Sequence, residues 1–132
     1  MNPDDLLYAE THEWVHVDET PDGKLATVGI TAFATELLTD LVHIDLPAVG
    51  TAVEAGQPFG EVESVKSVSD LNSPVDGEVV EVNDAVTEQL DTVSNDPFGK
   101  GWLIKVKLAG EAALPNLMDR AAYETQCREQ EE

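Results

Sequence analysis

The chain has 132 residues and a formal net charge of −20, from 27 acidic against 7 basic side chains. That length suits one domain and is short for a doubly wound sheet or a β/α barrel. A surface so negative repels phosphate backbones and anionic headgroups, which argues against nucleic acid and against membrane surfaces as partners.

Hydrophobic residues make up 42% of the chain, enough for one core, and nine Gly with seven Pro point to short strands joined by tight turns. The acidity reads either as solubility and self-repulsion or as adaptation to high salt. Enzymes that dock on such a surface would gain encounter rate from a basic patch. Cys127 is a single cysteine among polar residues, so no internal disulfide marks the chain as secreted. The first residues, Met1-Asn2-Pro3-Asp4-Asp5, resemble neither a signal nor a transit peptide, and no apolar run approaches a membrane span. A soluble cytoplasmic protein is expected.

In chain order, Glu13 to Val17 is rich in β-formers, Pro21-Asp22-Gly23 signals a turn, and Leu25 to Ile30 gives a second strand. Thr31 is placed to cap a short helix through Leu38. Leu41 to Leu46 alternates as a strand, Thr51 to Val53 makes a short one, and Pro58 to Ser64 another. From Glu61 to Leu71 the alternation runs on both sides of Lys66, as in two strands meeting at a hairpin. Glu78 to Val82 is a further strand, and residues 83–97 are polar and read as a loop. Gly101 to Leu108 is the last strand. Residues 116–128 place Leu117, Met118, Ala121 and Ala122 at helical spacing, followed by a frayed acidic tail over 128–132. The expected architecture is mainly β: a flattened β-barrel or sandwich with short peripheral helices and a C-terminal helix, one domain over 1–132 with its core at 8–126.

Lys66 is one of five lysines and sits where the hairpin should turn. By itself it is most simply an exposed lysine guarding a sheet edge. The run Glu61-Val62-Glu63-Ser64-Val65-Lys66-Ser67-Val68-Ser69-Asp70-Leu71-Asn72-Ser73-Pro74-Val75-Asp76-Gly77 changes that reading, because it resembles the lipoylation segment of glycine cleavage system H proteins. Thr11-His12-Glu13-Trp14-Val15, Val28-Gly29-Ile30-Thr31 and Asp96-Pro97-Phe98-Gly99-Lys100-Gly101-Trp102-Leu103 resemble further stretches of that family, in order, over residues 8–126. Thr39 stands where the family usually has Gly, and residues 86–95 lack its usual Pro-Glu-Leu pattern.

The resemblance implies a lipoyl-domain (barrel-sandwich hybrid) fold and a non-catalytic carrier with lipoate bound covalently to Lys66. It implies a pyridoxal-phosphate-dependent glycine decarboxylase, a tetrahydrofolate-dependent aminomethyltransferase and a dihydrolipoyl dehydrogenase as partners. A lipoate ligase or lipoyl transferase would attach the group, with Glu63, Ser64 and Val65 as its recognition residues. Thr11, Glu13 and Asp70 match residues near a cleft that shelters the loaded arm, although Glu13 and Asp70 also fit as simple surface carboxylates. A lysine-plus-lipoyl arm reaches about 14 Å, and a hairpin tip both exposes the amine and fixes its direction. A lipoyl relay that donates its group to other enzymes is the alternative. A lipoyl domain of an acyltransferase is a third reading, which would continue into a linker and catalytic domain and is not expected. A biotin carrier would flank its lysine with Met, where Val65 and Ser67 stand.

Three other features have bland readings. His12-Glu13-Trp14-Val15-His16 matches the zinc-protease pattern His-Glu-x-x-His, but that pattern works on a helix. In a strand its ends lie roughly 13 Å apart, too far to share one zinc. His43, in an apolar strand, reads as a satisfied structural residue. Trp14 and Trp102 read as core.

Overall fold

Trp14 and Val15 are adjacent and both fully buried, yet they pack into different clusters. Successive side chains of a strand point to opposite faces, so this strand is covered on both sides. The rest of the architecture follows from that arrangement.

The computed structural model describes residues 6–9, 12–21, 23–31, 34, 41–65, 68–96, 98–108 and 117–131. Among them run β1 (Leu7–Tyr8), β2 (Glu13–Thr20), β3 (Gly23–Ile30), β4 (Leu41–Asp45), β5 (Ala52–Val53), β6 (Pro58–Ser64), β7 (Val68–Asn72), β8 (Gly77–Val82) and β9 (Ile104–Leu108). They form two antiparallel sheets, one of six strands in the order β1-β2-β3-β9-β8-β5 and one of three in the order β4-β6-β7. Val28, Val79 and Val106 of the larger sheet share one buried cluster with Ile44, Val62 and Leu71 of the smaller. The mainly β sandwich expected from the sequence is the fold observed.

Trp14 faces the other way, into a smaller cluster with Leu6, Tyr8 and Tyr123. Gly29 lies directly opposite Trp14 in the β2–β3 register, and a Cβ there would come within 2.5 Å of the indole ring. Glycine at this position leaves room for the ring to lie across the strand. The C-terminal helix α3 (Arg120–Glu131; α1 and α2 are described below) closes this side. It begins at Arg120 rather than 116, because the preceding chain is used as sheet: Tyr8 and Met118 exchange two backbone hydrogen bonds of 2.7 Å. Asp119 then caps the helix, its Oδ1 accepting from the Ala122 N–H at 2.9 Å.

Tyr123 ties α3 to the sheet. Its ring stacks on Tyr8 with centroids 4.6 Å apart, and its hydroxyl lies 2.7 Å from His12 Nδ1 and 2.5 Å from Thr31 Oγ1. The phenol has one proton, so at least one of these neighbours donates to it. Burial pushes the Tyr123 hydroxyl far above the ordinary tyrosine range, and its bond to Thr31 opposes this only in part. Cys127, a lone cysteine among polar residues in the sequence, packs against the same cluster.

Residues 83–97 are not simply a loop. Two short helices form there, α1 (Ala85–Glu88) and α2 (Asp91–Asn95). Val86 and Val93 are fully buried and Leu90 packs beside them. The trio comes from two separate helices and the turn between them, a pattern too sparse to stand out in so polar a segment. Of the helix expected over 31–38, Ala34 is described, and its N–H donates to Thr31 Oγ1 at 3.2 Å, as a cap requires. The rest of that helix lies outside the described residues, as does Asp22 of the first turn. The last strand starts at Ile104 rather than Gly101. Trp102 just before it is partly buried against the smaller cluster, with Lys105 Nζ 5.0 Å from its ring centroid, so Trp14 alone of the two tryptophans is fully buried. No helix among the described residues is long and apolar enough to cross a membrane.

Candidate functional site

β6 and β7 form the hairpin expected around position 66. Burial alternates along β6, with Val62 and Ser64 inside and Glu61, Glu63 and Val65 outside. In β7 Leu71 is buried while Val68 and Asp70 are exposed. The register pairs Val62 with Ser69, Glu61 with Asp70, and last Glu63 with Val68. Four residues, 64–67, therefore connect the final pair, and Ser64 is still paired to Leu41 of the neighbouring strand β4. Lys66 and Ser67 lie outside the described residues. Their neighbours on either side, Val65 and Val68, are 62% and 57% exposed, which is high for valine and marks the end of this sheet as open to solvent.

The sheet that carries the hairpin is firmly seated. Val62 and Leu71 reach into the main core, and Ser73, just after β7, is buried with its hydroxyl donating to the Val75 carbonyl at 2.7 Å. The strands on either side of the connection are thus anchored in the core.

The other expected site residues are scattered. Of the recognition trio, Glu63 and Val65 are exposed and Ser64 is buried at 5% exposure, so Ser64 supports the connection from inside. Glu13 is not a surface carboxylate. It opens β2 with 2% exposure, and its backbone carbonyl accepts from the Ala9 N–H at 2.9 Å. Asp70 is exposed on the three-stranded sheet, so the two carboxylates stand on different sheets. Thr11 lies outside the described residues.

His12 and His16 do not share a helical face, because Glu13 to Thr20 is strand. His12 Nδ1 meets the Tyr123 hydroxyl and His16 Nε2 meets Asp18 Oδ1 at 3.0 Å. His43 is exposed rather than built into the core, because alternation along β4 turns Ile44 inward and its neighbours His43 and Asp45 outward. Sequence reasoning did not find the His12–Thr31–Tyr123 cluster. His12 and Tyr123 are 111 residues apart, and no local pattern links them.

The model of the glycine cleavage H-protein family matches residues 6–130. The glycine cleavage system H protein of Rhodopirellula baltica is 56% identical over 97% of this chain and 96% of its own. That of Marinobacter nauticus is 54% identical over 92% of this chain and 91% of its own. A crystal structure of a glycine cleavage system H protein from Mycobacterium marinum superposes with a TM-score of 0.86 at 44% identity, covering 95% of this chain and 98% of that one.

Proposed function

The chain belongs to the glycine cleavage H-protein family, and from that premise we propose that Lys66 is the residue carrying its lipoyl group. The protein is a carrier rather than a catalyst in its own right. When bound, the lipoyl group would supply the chemistry, its disulfide being reduced as it accepts the aminomethyl group of glycine at the pyridoxal-phosphate decarboxylase, and the dithiol left after transfer at the aminomethyltransferase being reoxidised by the dihydrolipoyl dehydrogenase. What the chain supplies is placement. The relatives carry the glycine cleavage name, which does not favour the lipoyl relay.

One observation carries the assignment to position 66. The Glu63–Val68 pair closes a core-anchored hairpin whose connection contains Lys66, and both described neighbours of the connection's centre are exposed. That arrangement fits a group acylated by one enzyme and then visited by several. A lipoate ligase or lipoyl transferase presents the acyl group as an adenylate or thioester. The lysine amine attacks the carbonyl, the amide bond forms, the adenylate or thiol leaves, and the amine's proton passes to solvent.

Glu63 and Val65 are the recognition residues the enzyme reads, and Ser64 holds the connection from within. Thr11, Glu13 and Asp70 serve as contacts for the loaded arm. One unpaired cysteine suits a cytoplasmic site of action.

Intact mass after incubation with lipoate, ATP and a lipoate ligase tests the attachment. The wild-type chain should gain one lipoyl group and Lys66→Ala none. Acylation of Lys66→Ala to the wild-type extent would refute the assignment. Support of glycine–bicarbonate exchange by the decarboxylase tests the shuttle role, and a lipoylated chain that failed to support it would favour the relay.

A further inference from the structure

Directly paired residues of neighbouring strands present their side chains on the same face of a sheet. Across the three-stranded sheet this gives two outward rows. Nearest the connection, His43, Glu63 and Val68 stand abreast, all exposed. Two residues further along, Asp45, Glu61 and Asp70 stand abreast, again all exposed. At the connection itself the exposed valines are Val65, Val68 and, on the bulge of β4, Val42 at 48% exposure. The pattern is an apolar end beside position 66, continuing into a strip of carboxylates.

The strip opposes the chain's own stability. Like charges directly across strands repel, and among the described residues none of Asp45, Glu61 and Asp70 forms an ion pair. A basic partner surface would relieve that repulsion, and the valines beside it would gain from leaving water.

The reach of the lysine selects the partner. Enzymes that use the finished arm work at its far end, about 14 Å from the backbone. The enzyme that attaches the group works at the amine, about 6 Å from it, and its surface must therefore lie against the strands on either side. We propose that the outer face of the three-stranded sheet, from Val42, Val65 and Val68 to the Asp45–Glu61–Asp70 row, is the docking surface for the enzyme that acylates Lys66. That enzyme meets it with an apolar contact flanked by Lys or Arg side chains. The proposal rests on Lys66 being the attachment point and extends the recognition surface beyond the connection itself to β4.

The test is the rate of lipoylation of the full chain by a lipoate ligase with lipoate and ATP, followed by intact mass over a range of chain concentrations. Val42→Ser with Val68→Ser should raise KM about tenfold with kcat within twofold. Asp45→Asn with Glu61→Gln and Asp70→Asn should raise KM similarly and flatten its dependence on salt. Val49→Ser, at an equally exposed valine in the turn before β5, should change neither constant. Unchanged circular dichroism shows that each variant is folded. A KM within twofold of wild type in either multiple variant overturns the docking surface while Lys66 still gains its group. A wild-type chain that gains no mass overturns the attachment itself, and the docking surface with it.

Discussion

Tyr123→Phe isolates the tie between the C-terminal helix and the sheet. The substitution keeps the ring, and hence its stack on Tyr8 at 4.6 Å, and removes only the hydroxyl that bonds His12 and Thr31. Thr31 is 1% exposed, so water does not replace the missing partner freely. A neutral hydrogen bond contributes about 1 kcal/mol net, and a buried group left unsatisfied costs about 1–3 kcal/mol. The Thr31 hydroxyl keeps its bond from the Ala34 N–H, which limits the damage on that side. The expected loss is about 2 kcal/mol, or about 6–10 °C in Tm for a chain of this length. Urea unfolding followed by tryptophan fluorescence measures it, with Trp14 in the same cluster as reporter. Thr31→Val in a double-mutant cycle should show a coupling of about 1 kcal/mol with Tyr123→Phe. A loss below about 0.5 kcal/mol with no coupling would refute the reading of this hydroxyl as the tie.

The same residue sets a pH dependence. Burial raises the Tyr123 ionisation above that of an unfolded tyrosine near pH 10, so past that pH the unfolded chain has lost a proton that the folded chain keeps. Its contribution is therefore flat below about pH 10, and stability falls above it by up to about 1.4 kcal/mol per pH unit. Subtracting the Tyr123→Phe curve from the wild-type curve should leave this slope; equal curves would contradict it. Gly29→Ala puts a methyl against the immobile Trp14 ring and should cost about 1–3 kcal/mol in urea unfolding. Val86→Thr keeps the shape of α1's buried residue but adds a hydroxyl to the core, and the expected loss is about 1–3 kcal/mol by the same assay.

The strands were legible because alternation is a strong signal wherever one face is wet. Glu61 to Leu71 shows it on both sides of Lys66, and β6 and β7 fall where that pattern puts them. Helices α1 and α2 were not legible, because Val86, Leu90 and Val93 are few and the acidic residues around them hide their spacing. Glu13 was read as either a cleft contact or a surface carboxylate, and it is buried. Its side chain lies on the face of β2 opposite Trp14, the face shared with Val15, and a carboxylate carries no sequence signal of such burial. His43 misled in the opposite direction, because its apolar neighbours suggested burial while alternation with the buried Ile44 turns it outward. The attachment segment was readable as a motif, whereas the acidic row beside it depends on register between three strands and became visible only with the pairing in hand.

The backbone exchange between Tyr8 and Met118 has a consequence for the chain's solubility. β1 is the outermost strand of the larger sheet, and an outermost strand offers free amides and carbonyls to any passing chain. Here Met118 occupies two of those groups, and the helix that follows shields the aromatic cluster beneath. Losing the chain from Met118 onward would therefore do more than shorten the molecule. It would unseal a margin where copies of the chain could zip together, held apart by little beyond their shared negative charge.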